Sequence, residues 1–93
     1  MELVWSPGFT RSLKRLVRQS PNLKIPVLQA LNQLQEDVSN PSLRTHKLKG
    51  DLSGRYACSI NYSDRIVFKI VKNDDSGREE ILLLALGSHD EVY

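Results

Sequence analysis

The chain has 93 residues, of which 40% are apolar, and a formal net charge of +2. This length supports one compact core and leaves little room for a second, so we expect a single domain over residues 1–93. The longest apolar run, at residues 81–86, is far too short to cross a membrane, and the N-terminus lacks the features of a secretion signal. These features predict a cytoplasmic protein without a membrane partner.

The charges are distributed unevenly along the chain. Residues 1–50 carry eight Lys or Arg against three acids, whereas the remaining residues carry five against eight. No acid occurs between Leu3 and Gln35, so the first half should present a positive surface that attracts a polyanion such as nucleic acid. An ordinary solvated face predicts the same charge pattern.

Two helices are predicted after a short extended start at residues 3–5. Ser6 offers a capping hydroxyl just before Pro7, whose missing N–H costs nothing in a first turn, so the first helix should begin there. The second helix tolerates Pro26 only in its first turn. Because the break at residues 20–22 is short, the two helices should form an antiparallel hairpin.

The first predicted helix is amphipathic. Phe9 and Leu16 belong to an apolar stripe at helical spacing, which marks the side that should pack against the core. A second stripe, called the basic face below, consists of Arg11, Lys14, Arg15 and Arg18.

From residue 43 onward the apolar positions recur every second residue, which is typical of strands. Residues 55–62 and 65–70 alternate on either side of a turn near Ser63 and predict a hairpin. Residues 81–86 are apolar on both faces, as in a strand in the middle of a sheet. If the helices cover one face of this sheet, Arg65 and Lys69 point to the other.

Candidate catalytic side chains gather at residues 45–50, at Arg65 and at the C-terminus. Cleavage of RNA by its own 2′-hydroxyl needs a base, an acid and a cation near the phosphate, and in principle no metal. His46 and His89 can transfer protons, and arginine offers a forked donor for phosphate. Taken singly, each histidine has a surface or capping interpretation, Arg65 could be a cross-strand ion-pair partner, and Tyr93 a frayed terminus. Two histidines without a cysteine cluster predict no metal site.

Three segments of the second half carry a family resemblance. They are the run LKGDLSGRY at 48–56, the run DRIVF at 64–68 and the ending GSHDEVY at 87–93. In order and spacing they resemble the RelE/ParE superfamily of toxins from toxin–antitoxin systems, in particular its RelE, YoeB and YafQ branches. The resemblance extends over nearly the whole chain. It implies an α+β fold of order β-α-α-β-β-β, with an antiparallel sheet packed against the N-terminal helical hairpin.

The resemblance also implies an activity and partners. The expected activity is that of a metal-independent, cofactor-free endoribonuclease that cleaves messenger RNA on the ribosome by 2′-hydroxyl attack. A cognate antitoxin is the expected protein partner, and the oligomeric state stays open. In this interpretation the basic face binds ribosomal RNA without reading its sequence.

Four residues match catalytic positions of the related toxins. Arg65 occupies the place of the arginine that contacts the scissile phosphate in RelE and YoeB, and Tyr93 that of the aromatic residue that closes the site in RelE and YafQ. His89 resembles the catalytic histidine of YafQ. His46 falls where YafQ has a histidine and YoeB a glutamate that transfers a proton.

Other positions match less evenly. Lys47 and Lys49 resemble the basic residues on which RelE relies, and one of them is expected beside Arg65 at the phosphate. Ser59 and Ala85 stand where YafQ has a second strand histidine and an arginine, so the mechanism should not copy that of any one branch.

Two alternative functions remain compatible with the sequence. ParE-like members of the superfamily bind DNA gyrase and cleave nothing, and the presence of His46, Arg65 and His89 favours the nuclease over them. An attenuated toxin, retained as an antitoxin-binding or autoregulatory protein, would explain Ser59 and Ala85.

Overall fold

The structure, a computed structural model, describes residues 1–93. Its α+β architecture confirms the predicted fold class and adds a two-residue strand, β2, and a terminal helix, α3. The elements are β1 (Glu2–Trp5), α1 (Pro7–Gln19), α2 (Lys24–Glu36), β2 (His46–Lys47), β3 (Tyr56–Ser59), β4 (Asp64–Lys72), β5 (Glu79–Ser88) and α3 (His89–Val92).

The helical hairpin begins where the sequence predicts. The Ser6 hydroxyl accepts a hydrogen bond of 3.0 Å from the backbone N–H of Phe9 and so satisfies a donor of the first turn of α1. The Trp5 ring packs edge-on against Phe9, with 5.3 Å between centroids, and fixes the angle at which β1 enters the helix. The second helix ends at Glu36, because Asp37 is extended.

The five strands form one sheet in the order β1-β5-β4-β3-β2. Strands β2 to β5 are antiparallel, as expected, whereas β1 runs parallel to β5. The expectation of a purely antiparallel sheet is therefore wrong at this edge. Here β1 is joined to the rest of the sheet through the helical hairpin, and a connection of that length allows a parallel pair.

The helices cover one face of the sheet, and the core lies between the two layers. Ile66 and Phe68 of β4 point into this core, as predicted, and are fully buried. Because side chains alternate along a strand, Arg65 and Val67 point to the other face, called the open face below. Most of the core is contributed by buried residues of both layers: Phe9, Leu16, Val27, Leu31, Leu34, Leu43, Cys58, Ile66, Phe68, Ile81, Leu83 and Leu86.

The hairpin between β3 and β4 differs from its prediction. Strand β3 ends at Ser59, so Tyr62, predicted within a strand, lies in a loop with 97% of its surface exposed. The cause is Asn61, whose side-chain oxygen accepts hydrogen bonds from the backbone N–H groups of Ser63 at 2.9 Å and Asp64 at 2.8 Å. Asparagine in this role replaces strand pairing by a local turn.

Candidate active site

His46 and Arg65 lie on the same face of the sheet. His46 pairs with Ala57 across β2 and β3, and Arg65 pairs with Ser59 across β3 and β4. Since residues directly opposite share a face and residues two apart in a strand also share a face, both side chains stand on the open face. Arg65 is also opposite Gly87, two residues before His89. The last residues of the chain therefore start beside Arg65.

The His46 ring is held at both of its nitrogens. Nδ1 lies 3.1 Å from the carbonyl oxygen of Arg44, which can only accept a hydrogen bond, so Nδ1 carries the hydrogen. In the neutral ring Nε2 then has a lone pair, and the Tyr93 hydroxyl lies 3.4 Å from Nε2. A neutral imidazole in this tautomer is ready to accept a proton at Nε2.

Tyr93 links the two histidines. Its hydroxyl faces His46, and its ring packs edge-on against His89 with 4.3 Å between centroids and an interplanar angle of 72°. Burial raises the pKa of Tyr93, and the Arg65 guanidinium partly offsets this effect. The phenol therefore keeps its proton near neutral pH and can donate it in a hydrogen bond to His46.

Helix α3 places His89 and Tyr93 together. Ser88 caps this helix, and its backbone N–H donates to the Glu91 carboxylate at 2.9 Å. The cap lowers the pKa of Glu91, mainly through the backbone N–H and then the hydroxyl of Ser88. A Cβ at position 87 would lie 3.1 Å from a Glu91 carboxylate oxygen, so glycine makes the close approach possible. The spacing of Ser88 and Glu91 is a capping signal that is already present in the sequence, although no helix was expected there.

The Arg65 side chain is anchored at one of its nitrogens. Nη1 donates to the backbone carbonyls of Asn61 at 2.8 Å and Asp64 at 3.0 Å. A guanidinium has five donor hydrogens, and these two bonds use Nη1 alone. The group is thus fixed in direction and can still bind an anion through its other nitrogens.

Comparisons with solved structures place this geometry in a known fold. YafQ from Escherichia coli superposes with a TM-score of 0.78 at 10% identity, covering 99% of this chain and 97% of that one. A metal-bound toxin from Helicobacter pylori gives 0.75 at 26% identity, covering 100% and 99%. The YoeB–YefM complex from Staphylococcus aureus gives 0.70 at 19% identity, covering 96% and 97%. The chain has the fold of the YoeB and YafQ toxins. No protein-family model and no curated protein sequence matches it.

Within this YoeB/YafQ-type fold Lys47 stands on the opposite face of the sheet from His46. Lys47 pairs with Tyr56, whose ring stacks on the core residue Phe68, so Lys47 starts on the helix side of the sheet. Lys49 lies beyond the end of β2, in an extended backbone just before the turn at Gly50–Leu52. The register thus places Lys47 on the face opposite Arg65, whereas the expectation of a lysine beside Arg65 stays a prediction for Lys49.

A different cation, Arg44, accompanies Arg65 in this toxin fold. Both arginines line one groove of 350 Å³ on the surface, together with Ser59 and Tyr62. Arg44 is one of the eight basic residues of the first half of the chain and was not an expected site residue. No local signal distinguishes it, because its place depends on the turn at Pro41–Leu43.

The basic face of the YoeB/YafQ-type fold is solvent-exposed along α1. None of its four cations forms an ion pair within the chain, where the single charged contact is between His89 and Asp90 at 3.7 Å. Unpaired cations on one helix leave a positive field at long range.

The structure offers no metal site and no exposed thiol. The structure contains no group of three or more His, Cys, Asp or Glu side chains that could hold a metal ion. Cys58 is a free, fully buried thiol in the core. No helix is both long and apolar enough to cross a bilayer.

Proposed function

We propose that this protein is the toxin of a toxin–antitoxin pair and that it cleaves messenger RNA on the ribosome. The observation that carries the proposal is the continuous contact from His46 through Tyr93 to His89, beside the Arg65 guanidinium on the open face. Two imidazoles and a guanidinium are the groups that cleavage by a 2′-hydroxyl needs. The fold shared with YoeB and YafQ supports the same assignment.

In the proposed reaction His46 is the base. Nε2 takes the proton of the ribose 2′-hydroxyl, which enters the position now occupied by the Tyr93 hydroxyl. The 2′-oxygen then forms a bond to phosphorus while the bond from phosphorus to the 5′-oxygen breaks. The products are a 2′,3′-cyclic phosphate and a 5′-hydroxyl.

His89 is the proposed acid. Its Nδ1 lies 3.7 Å from an Asp90 carboxylate oxygen. As an imidazolium, His89 can donate a proton to the departing 5′-oxygen. Arg65 neutralises charge on the phosphate, and Tyr93, once displaced from His46, stacks on or orients a base. These four side chains supply base, acid and counter-charge, so the proposed reaction uses no metal.

The proposed partners are ribosomal RNA, messenger RNA and an antitoxin. The basic face would bind ribosomal phosphates. The open face would then contact messenger RNA in the decoding site. YoeB from Staphylococcus aureus is seen in a complex with YefM. By analogy, an antitoxin would bind this chain and cover the open face or displace Tyr93.

The first test is cleavage of a defined message on programmed ribosomes. We expect His46→Ala, His89→Ala and Arg65→Ala each to slow cleavage by roughly 10²- to 10⁴-fold, the usual contribution of a general acid or base. Arg78→Ala, at the distant β4–β5 turn, is the matched control and should cleave normally. Product ends are read by mass spectrometry.

The chemistry is tested by the message itself. A 2′-deoxy nucleotide at the cleaved position should abolish cleavage, because it removes the attacking hydroxyl. Persistent cleavage of that message, or products with a 5′-phosphate, would contradict the proposed mechanism. Inhibition of gyrase supercoiling without any cleavage would contradict the nuclease and establish the ParE-like alternative.

A further inference from the structure

A surface groove adjoins the candidate active site. It lies between the turn at Pro41–Leu43 and the loop that follows β3, and its volume is 350 Å³. Arg65 lines both the groove and the active site, so a molecule bound in the groove would be next to the reacting phosphate. Its other polar walls come from Ser42, Arg44, Ser59, Asn61 and Tyr62.

The groove is cationic. It is lined by Arg44 and Arg65 and by no acid. Arginine pairs with phosphate oxygens through its planar fork, and serine hydroxyls and an asparagine amide can donate further hydrogen bonds to such an anion.

Arg44 has a constrained backbone at this place. Its φ of 50° makes it the one residue other than glycine with a positive φ in the chain. Its N–H donates to the Pro41 carbonyl at 3.3 Å, and its own carbonyl accepts from Nδ1 of His46. A left-handed conformation is unfavourable for a residue with a Cβ, and such strain clusters at functional sites. The same peptide thus orients His46 while the side chain lines the groove.

Tyr62 forms an exposed aromatic wall on a braced loop. Its surface is 97% exposed. Its neighbour Asn61 is nevertheless fixed, because its side-chain oxygen accepts hydrogen bonds from the backbone N–H groups of Ser63 and Asp64. The Asn61 amide also donates to the Asp64 carboxylate at 3.1 Å. Exposed aromatic rings on rigid supports are the platforms on which unpaired nucleic-acid bases stack.

We propose that this groove binds one nucleotide of the RNA adjacent to the cleaved bond, with its phosphate on Arg44 and Arg65 and its base on Tyr62. This inference rests on the proposed function and adds a binding subsite to it. An acidic peptide would also meet the two cations, but it would leave the Tyr62 ring without a stacking partner. The combination of paired arginines and a free aromatic ring favours a nucleotide.

The test is binding of a short single-stranded oligonucleotide without ribosomes, measured by NMR titration of the labelled full chain. The probe is a trinucleotide with 2′-deoxy sugars, which binds but cannot be cleaved by the proposed reaction. We expect amide shifts at residues 59–62 and at Arg44. Tyr62→Ala should weaken binding roughly tenfold, the usual effect of losing one stacked base, while Tyr62→Phe should retain it.

The arginine is tested by Arg44→Gly. Glycine adopts a positive φ without strain, so this variant removes the side chain and keeps the carbonyl that orients His46. We expect a roughly tenfold loss of affinity for the trinucleotide, as for removal of a charge-assisted bond to phosphate. Arg78→Ala, at the β4–β5 turn, is the control and should bind normally.

The outcomes separate this subsite from the proposed function. Trinucleotide binding that depends on Arg44 and Tyr62, in a protein that cleaves no message, would support the subsite and refute the nuclease. Normal binding by both variants, or no binding by the unaltered chain, would overturn the subsite whatever the cleavage assay shows. Equal shifts with a polyglutamate peptide, insensitive to Tyr62→Ala, would assign the groove to an acidic protein segment instead.

Discussion

Cys58 shows how burial fixes the chemistry of a single side chain. It is fully covered in the core, and burial raises its pKa to about 12, against smaller opposing effects from a hydrogen bond with the Ile66 backbone and from the Arg65 charge. The thiolate is the reactive form of cysteine, so this thiol should be inert. An exposed cysteine on the open face would lack this burial and would be a candidate nucleophile.

We expect Cys58 to resist alkylation by iodoacetamide in the native protein at pH 8. Its raised pKa keeps the sulfur protonated, and the core excludes the reagent. The thiol should react at an ordinary rate once the chain is unfolded in guanidinium chloride, which provides the control. Labelling is counted by mass spectrometry, and fast modification of the native chain would contradict the buried assignment.

At the scale of elements, α3 controls the geometry of the candidate site. It has only four residues and contributes no buried side chain to the core, so its cap at Ser88 and Glu91 has a large share in holding it. Isolated helices of this length are unstable in water. Tyr93 and His89 are therefore positioned by a small element that a ligand or an antitoxin could displace.

Acidification should loosen α3. Because the folded pKa of Glu91 lies below its unfolded value, its carboxylate stabilises the cap above the unfolded pKa, and this stabilisation is lost as pH falls through the folded pKa. We expect the nuclear Overhauser effect between the His89 and Tyr93 rings to persist at pH 6 and to disappear in strong acid.

The matched variant is Glu91→Gln, whose amide oxygen can accept the Ser88 hydrogen bond without titrating. Any ring contact in that variant should not depend on pH across the carboxylate range, which separates Glu91 from His46 and His89. An identical acid transition in both proteins would show that another group is responsible.

At the scale of the whole molecule, the two halves of the chain carry opposite charge in different places. The basic face lies on α1, while most acids of the second half lie in the β4–β5 turn, at the start of β5 and in α3. Besides the cap at Ser88, the charge of Arg15 lowers the pKa of Glu91, so the basic face extends toward α3, while the candidate site also carries its own arginines. Under the proposed function, α1 would supply affinity for ribosomal RNA and the open face would supply chemistry.

This division predicts that ribosome binding can be lost without loss of trinucleotide binding. Replacing the four cations of the basic face by alanine should weaken ribosome binding and flatten its dependence on salt, by about 0.7 to 0.9 in the slope of log K against log salt for each phosphate contact removed. Trinucleotide binding at the groove should be unchanged. Both are measured between 50 and 200 mM salt, and an unaltered slope would mean that α1 does not contact phosphates.

Local sequence signals determined much of this protein. The start of α1 follows from Ser6 and Pro7, the core-facing side of β4 follows from alternation, and the basic face follows from helical spacing. These features depend on residues within a turn or two of one another, so periodicity and capping suffice to predict them. The chemistry of individual side chains also points to the four proposed site residues, since their types can transfer protons, bind phosphate or stack on a base. These residues are His46, Arg65, His89 and Tyr93.

Tertiary structure alone decided which of those groups meet. Strand β1 could pair in either direction, and the parallel choice depends on how the helical hairpin packs. The separation of Lys47 from His46 and the approach of Arg44 to Arg65 depend on the register between β2 and β3 and on the turn at Pro41–Leu43. The contact of Tyr93 with His46 joins residues 47 positions apart. Such pairings arise from long-range packing, in which a one-residue shift exchanges the faces of a strand, and no local pattern specifies them.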